Sequence, residues 1–113
     1  MKITTDTLAP DSALLHLEGR FDAETAGGFK QAVKDLAAGG VNYLAVDLSR
    51  VSFVDSSGLS ALVAAMKILR PTDGRLHLAA VGPQARTAMR LTLLDRVLPT
   101  FETVGEAVAR LKS

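Results

Sequence analysis

The stretch VSFVDSSGLSAL, residues 51–62, joins two kinds of hydrophobic pattern. Val51, Phe53 and Val54 end an apolar run of strand type. Asp55, Ser56, Ser57 and Gly58 interrupt it. From Leu59 the apolar residues recur at helical spacing: Leu59, Leu62, Val63, Met66 and Leu69. A strand running straight into a helix through four turn-forming residues is the unit from which parallel α/β sheets are built. The local chemistry explains the turn without invoking function. Asp55 or Ser56 can accept a hydrogen bond from the free N–H groups of a helix starting near Ser57. Gly58 allows a tight backbone turn.

Working outward, the same alternation of types continues. KITTD (2–6) and ALLHLEG (13–19) read as two strands joined through Pro10, Asp11 and Ser12. Ala26, Phe29, Val33 and Leu36 give a helix that Gly39–Gly40 ends. YLAVDL (43–48) is a short apolar strand of the kind buried on both faces. After the serine-led helix, closed by Pro71 and Gly74, RLHLAAV (75–81) alternates like a strand. Pro83 suits the first turn of a third helix reaching about Leu94. A brief strand at 100–102 precedes Thr103 and Glu106, spaced as a capping box, with Val104, Ala107, Val108 and Leu111 on one helical face. The expected fold is α/β: one domain over residues 1–113, a mostly parallel central sheet with an N-terminal antiparallel hairpin, in the order β-β-α-β-α-β-α-β-α.

Composition agrees with one globular domain. The 113 residues are 48% hydrophobic and 22% charged, and a chain of this size buries roughly two-thirds of its unfolded surface. The formal net charge of +1 gives no electrostatic reason to expect nucleic acid or an anionic membrane as partner. Cysteine is absent, which removes disulfides and thiolate metal sites. The opening residues lack the apolar core of a signal peptide, and no apolar run nears the ~20 residues that span a bilayer. A cytoplasmic location is the expectation.

In open parallel sheets functional loops gather at the carboxyl ends of the strands. Two loops qualify: one with Asp22, after the second strand, and one with Asp55 and Ser56, after the third. A hydrolase is disfavoured, because G-x-S-x-G is missing and a nucleophilic serine needs a base held by a third group. The only histidines, His16 and His77, lie in strand patterns and read as surface residues. Phosphate-loop glycine motifs and clustered metal ligands are missing too. No catalytic residue, cofactor or metal is therefore expected, although Asp22 and Asp55 can meet across their loops. A regulatory serine fits better, since backbone N–H groups and the dipole at a helix start favour a phosphate. The helix behind it is unusually apolar: Ala61, Ala64, Ala65 and Ile68 extend its hydrophobic character beyond one stripe. Deep burial or a face kept bare for a partner would each explain that.

DLSRVSFVDSSGLSALVAAMK (47–67) and LEGRFDAETA (17–26) resemble the signature stretches of the STAS domain, in particular of bacterial anti-sigma factor antagonists, also called anti-anti-sigma factors. The resemblance extends over nearly the whole chain in element order. It implies that Ser56 is phosphorylated by a cognate anti-sigma factor, a serine kinase with a GHKL-type ATP site. The unphosphorylated form would bind that kinase and release the sigma factor, phosphorylation would end the binding, and a PP2C-type phosphatase would restore it. Asp22, Asp55, Ser57 and Gly58 match the family's contact loops. Ser60, Ala64 and Lys67, at helical spacing from Ser56 and off the Leu62–Met66–Leu69 stripe, extend the expected partner surface. The alternative within the family is a STAS scaffold or transport-complex subunit without serine switching.

Overall fold

The computed structural model describes residues 1–113. It contains β1 (Lys2–Ala9), β2 (Ser12–Phe21), α1 (Ala26–Ala38), β3 (Tyr43–Val54), α2 (Ser56–Leu69), β4 (Arg75–Ala79), α3 (Pro83–Leu91), β5 (Thr100–Phe101) and α4 (Val104–Ala109), with 3-10 turns at Arg70–Thr72 and Leu94–Arg96. The sheet order is β1-β2-β3-β4-β5. β1 and β2 form an antiparallel hairpin, and all other neighbours run parallel. Fold class and element order are those expected from the pattern.

Alternation along the strands divides the apolar residues between two faces. Ala13, Leu15 and Leu17 of β2, Leu44, Val46 and Leu48 of β3, and Leu76 and Leu78 of β4 enter the larger core, which Phe29 and Val33 of α1, Leu59, Leu62 and Ala65 of α2, and Ala85 and Met89 of α3 complete. On the other face Leu14, Ala45 and Ala79 pack with Ala107 and Leu111, flanked by Val104 and Val108, so α4 and the residues just after it are the helical cover of that face. No helix is long and apolar enough to cross a membrane.

The single cover explains why the two histidines differ. Both point to the α4 face. His77 lies under α4 and is buried, its Nδ1 donating to the Ala107 carbonyl at 2.9 Å and its ring tilted on Phe101 at 4.7 Å. The surface reading of His77 is therefore corrected: a central strand offers no solvated face where a helix covers it. His16 lies on β2, beyond the reach of α4, and keeps 36% of its side chain exposed.

β3 is twice as long as the YLAVDL run, because it continues without a break into the strand-type run that ends at Val54. The register with β2 shows why the two runs read as separate. His16 pairs with Asp47 but Glu18 with Arg50, and Gly19 pairs with Val51 but Arg20 with Phe53. Each step inserts one extra residue in β3, and two bulges in seven residues erase the alternation by which a strand is read. α3 is shorter than expected and ends at Leu91, because Leu93 turns left-handed (φ 61°) before the 3-10 turn.

Candidate functional site

Asp55 settles how the serine loop is built. It is the N-cap of α2, in extended conformation, and its Oδ1 accepts the Gly58 N–H at 3.0 Å. Such a cap stabilises a helix by about 1 kcal/mol. With the cap assigned to Asp55, the capping role also considered for Ser56 falls away. The helix begins at Ser56, one residue earlier than expected, and leaves the Ser56 side chain exposed on its first turn. Ser57 is half-buried one residue further on.

Gly58 is buried, and its backbone angle does not require glycine. Space does: an added Cβ would lie 2.4 Å from the Phe21 carbonyl oxygen and 2.9 Å from Val54 Cγ1. That oxygen also accepts the Asp55 N–H at 3.2 Å. The glycine thus serves close approach of α2 to the end of β2, rather than the tight turn inferred for it, and it brings the serine loop against the loop that starts at Asp22.

The Asp22 loop is tied to itself. Asp22 accepts from the Glu24 N–H at 3.1 Å and from Thr25 Oγ1 at 3.3 Å, with Arg20 Nε at 3.5 Å. Desolvation pushes the Asp22 carboxyl up, yet the bonds from Glu24, Arg20 and Thr25 outweigh it and hold the group below the usual carboxylate range. Asp22 and Asp55 lie on adjoining loops, but each carboxylate is engaged within its own loop.

Two depressions flank Ser56. One, between the starts of α1 and α2, is lined by Ala23, Gly27, Lys30, Ser56, Ser57 and Ser60. The other is a groove of about 430 Å³ between α2 and the turn after α3. Ser56, Ser60, Ala64 and Lys67 line it, over Leu59, Val63 and Leu94. The structure therefore places Ser56, Ser60, Ala64 and Lys67 on one surface, with Asp55 beneath it and Asp22 beside it. The excess apolar character of α2 is partly burial: Ala61 and Ala65 are core, at 1% and 0% exposure, while Ala64 and Ile68 are only half-buried. Val63 and Met66, expected in the buried stripe, are half-buried as well.

Three features of this surface escaped the sequence reading. Lys30 reaches the serine hollow from α1. Leu94 and Thr92 form the far wall of the groove. Leu91, Leu93 and Val97 stand 77%, 56% and 50% exposed in the same α3-to-turn segment. The available signal was leucine at 91, 93 and 94, more than one helical face can bury.

Residues 3–107 match the family model of the STAS domain. The chain is 28% identical over 100 residues to the anti-sigma-F factor antagonist RsfB of Mycobacterium tuberculosis, covering 88% of this chain and 81% of that one. It is 29% identical over 92 residues to the anti-sigma-B factor antagonist of Listeria monocytogenes, covering 81% of each. A solved anti-sigma factor antagonist from Mycobacterium paratuberculosis is similar over 99% of this chain and 96% of its own, with TM-score 0.84 and 30% identity.

Proposed function

This chain belongs to the STAS domain family, among the anti-sigma factor antagonists, and from that premise we propose that it is a phosphorylation-controlled binding module whose switch is Ser56. Unphosphorylated, it binds a cognate anti-sigma factor, a GHKL-type serine kinase, and frees the sigma factor held there. The kinase phosphorylates Ser56 and binding ends. A PP2C-type phosphatase resets the module.

The observation that carries this reading is the exposed hydroxyl of Ser56 on the first turn of α2, above the Asp55 cap and at the head of the groove. A phosphate there meets the first-turn N–H groups and the positive end of a 14-residue helix. Asp55 and Asp22 oppose it by like-charge repulsion that water screens at the surface. The fold therefore tolerates the added charge. A partner surface shaped around a hydroxyl does not, because a dianion desolvated without a partner costs far more than the ~1.4 kcal/mol that weakens binding tenfold.

The test is incubation with the cognate kinase and ATP, followed by intact mass and phosphopeptide mapping. One phosphate on Ser56 is expected, retained in Ser57→Ala and lost in Ser56→Ala. Phosphate on Ser57 alone would overturn the assignment.

A further inference from the structure

β3 outruns its neighbour. β4 pairs with it only from Tyr43 to Asp47, so on that side the strand continues to Val54 with no strand beside it. At the last residue a side chain takes the missing strand's place. The Val54 N–H donates to Gln84 Oε1 at 3.0 Å, and Gln84 Nε2 donates to the Val54 carbonyl at 2.8 Å. A primary amide can present an N–H donor and a carbonyl acceptor side by side in a single plane, as a strand residue's backbone does. On its other side Val54 pairs with Phe21, whose carbonyl accepts the Asp55 N–H. The two residues before Ser56 are thus held from both sides, by β2 and by Gln84.

The holder is itself fixed. Gln84 follows Gly82, the extended N-cap of α3, and Pro83, whose ring presets the first helical turn. Ala85 and Met89 anchor that helix in the core at 7% and 2% exposure. Between Gln84 and the unpaired run of β3 lies a small cavity of about 90 Å³, lined by Leu48, Val51, Val54 and Ala85 among others. Packing there is incomplete, so on the side away from β2 the amide clasp is the fastener at that end of the strand.

We infer that Gln84 is a positioning residue for Ser56: its clasp on Val54 fixes the base of the serine loop and so the point in space at which the hydroxyl is offered to a phosphoryl donor. This rests on Ser56 being the acceptor. Misplacing a reacting atom by about 1 Å can slow a transfer a hundredfold, and a loop held on one side only is free to make such an excursion. Docking along α2 does not pass through Gln84. Loss of the clasp therefore acts on turnover and leaves substrate affinity nearly unchanged.

The experiment has one arm without a partner and one with it. In Gln84→Leu, which keeps bulk and removes both bonds, amide exchange at Val54 and Asp55 should quicken about tenfold or more, while exchange in β2 and at Leu62 stays as in wild type. With the kinase that phosphorylates the wild-type chain, kcat should fall about tenfold and KM stay within about twofold. Gln84→Glu keeps the acceptor but sets a carboxylate against the Val54 carbonyl. It should match Gln84→Leu at neutral pH and recover exchange protection as the pH approaches about 4.3, where a carboxyl regains a donor. Unchanged exchange in Gln84→Leu overturns the clasp. Faster exchange with an unchanged kcat overturns the positioning role. If the wild-type chain accepts no phosphate, the Ser56 reading fails, and the exchange arm still decides whether Gln84 orders the loop.

Discussion

The carbonyl oxygen of Phe21 lies 2.4 Å from where a methyl group on Gly58 would sit. The end of β2 and the first turn of α2 are therefore in close backbone contact, which sets the two loops of the proposed partner surface side by side. Phe21 cannot retreat easily: it is fully buried, packs edge-on against Phe29 with ring centroids 5.0 Å apart, and receives the Asp55 N–H. Gly58→Ala should destabilise the domain by about 1–3 kcal/mol, the usual cost of forcing extra bulk into a packed site. Urea unfolding followed by circular dichroism measures it, and an unshifted midpoint would refute the contact.

Asp55 separates capping from charge. Asp55→Ala should cost about 1 kcal/mol through the lost bond to the Gly58 N–H. Asp55→Asn keeps a capping oxygen, so its stability should stay within about 0.5 kcal/mol of wild type. If both variants lose the same stability, the carboxylate contributes more than a cap.

How much of this was legible in the chain follows from particular residues. The order of elements was readable because each helix shows a stripe of spacing 3 and 4 and most strands are short and apolar. Asp55, Ser56 and Asp22 stood out because turn residues after strands mark the functional edge of a parallel sheet. The continuity of β3 from YLAVDL to Val54 was hidden by its two bulges, and the burial of His77 by α4, which covers only part of one face. Gly58 was recognised as special for the wrong reason, since steric approach across 37 residues of chain leaves no local mark. Gln84, 30 residues from Val54, carries no local signal either.

Ala64 tests the extent of the partner surface. It is half-buried on the groove wall, between exposed Ser60 and Lys67. Ala64→Arg should fold with a stability change of about 0.5 kcal/mol and weaken anti-sigma factor binding tenfold or more, about 1.4 kcal/mol. Ala65→Arg, at a position with 0% exposure, should fail to fold. Titration calorimetry alongside thermal melting distinguishes the two, and wild-type affinity in Ala64→Arg would move the surface elsewhere.

His16 gives the fold a pH dependence. Its Nδ1 meets Asp47 Oδ2 and its Nε2 meets Asp6 Oδ2, each at 2.8 Å, so the ring ties β1 and β3 to β2. With a carboxylate on both nitrogens the protonated ring is favoured. Asp47 first and Asp6 second raise the His16 pKa above 6.5 against a smaller desolvation effect. A raised pKa means that this stabilisation is complete below about 6.5 and fades as the pH rises through the folded-state value. Melting temperature should fall as the pH rises above about 6.5, and His16→Gln should flatten that slope. The cluster is partly exposed, so the change should amount to a few degrees. Equal slopes in the two proteins would exclude His16 as the cause.

The most direct test of the account compares the phosphorylated and unphosphorylated protein in one experiment: affinity for the anti-sigma factor by calorimetry, with the fold followed by amide NMR spectra and melting. Affinity should drop tenfold or more on phosphorylation at Ser56, with shifts confined to the Asp22 loop, the Ser56 loop and the first turns of α2, and stability changed by no more than about 1 kcal/mol. Equal affinities would mean that Ser56 is no switch, and a collapsed spectrum would mean that the phosphate acts by unfolding the domain.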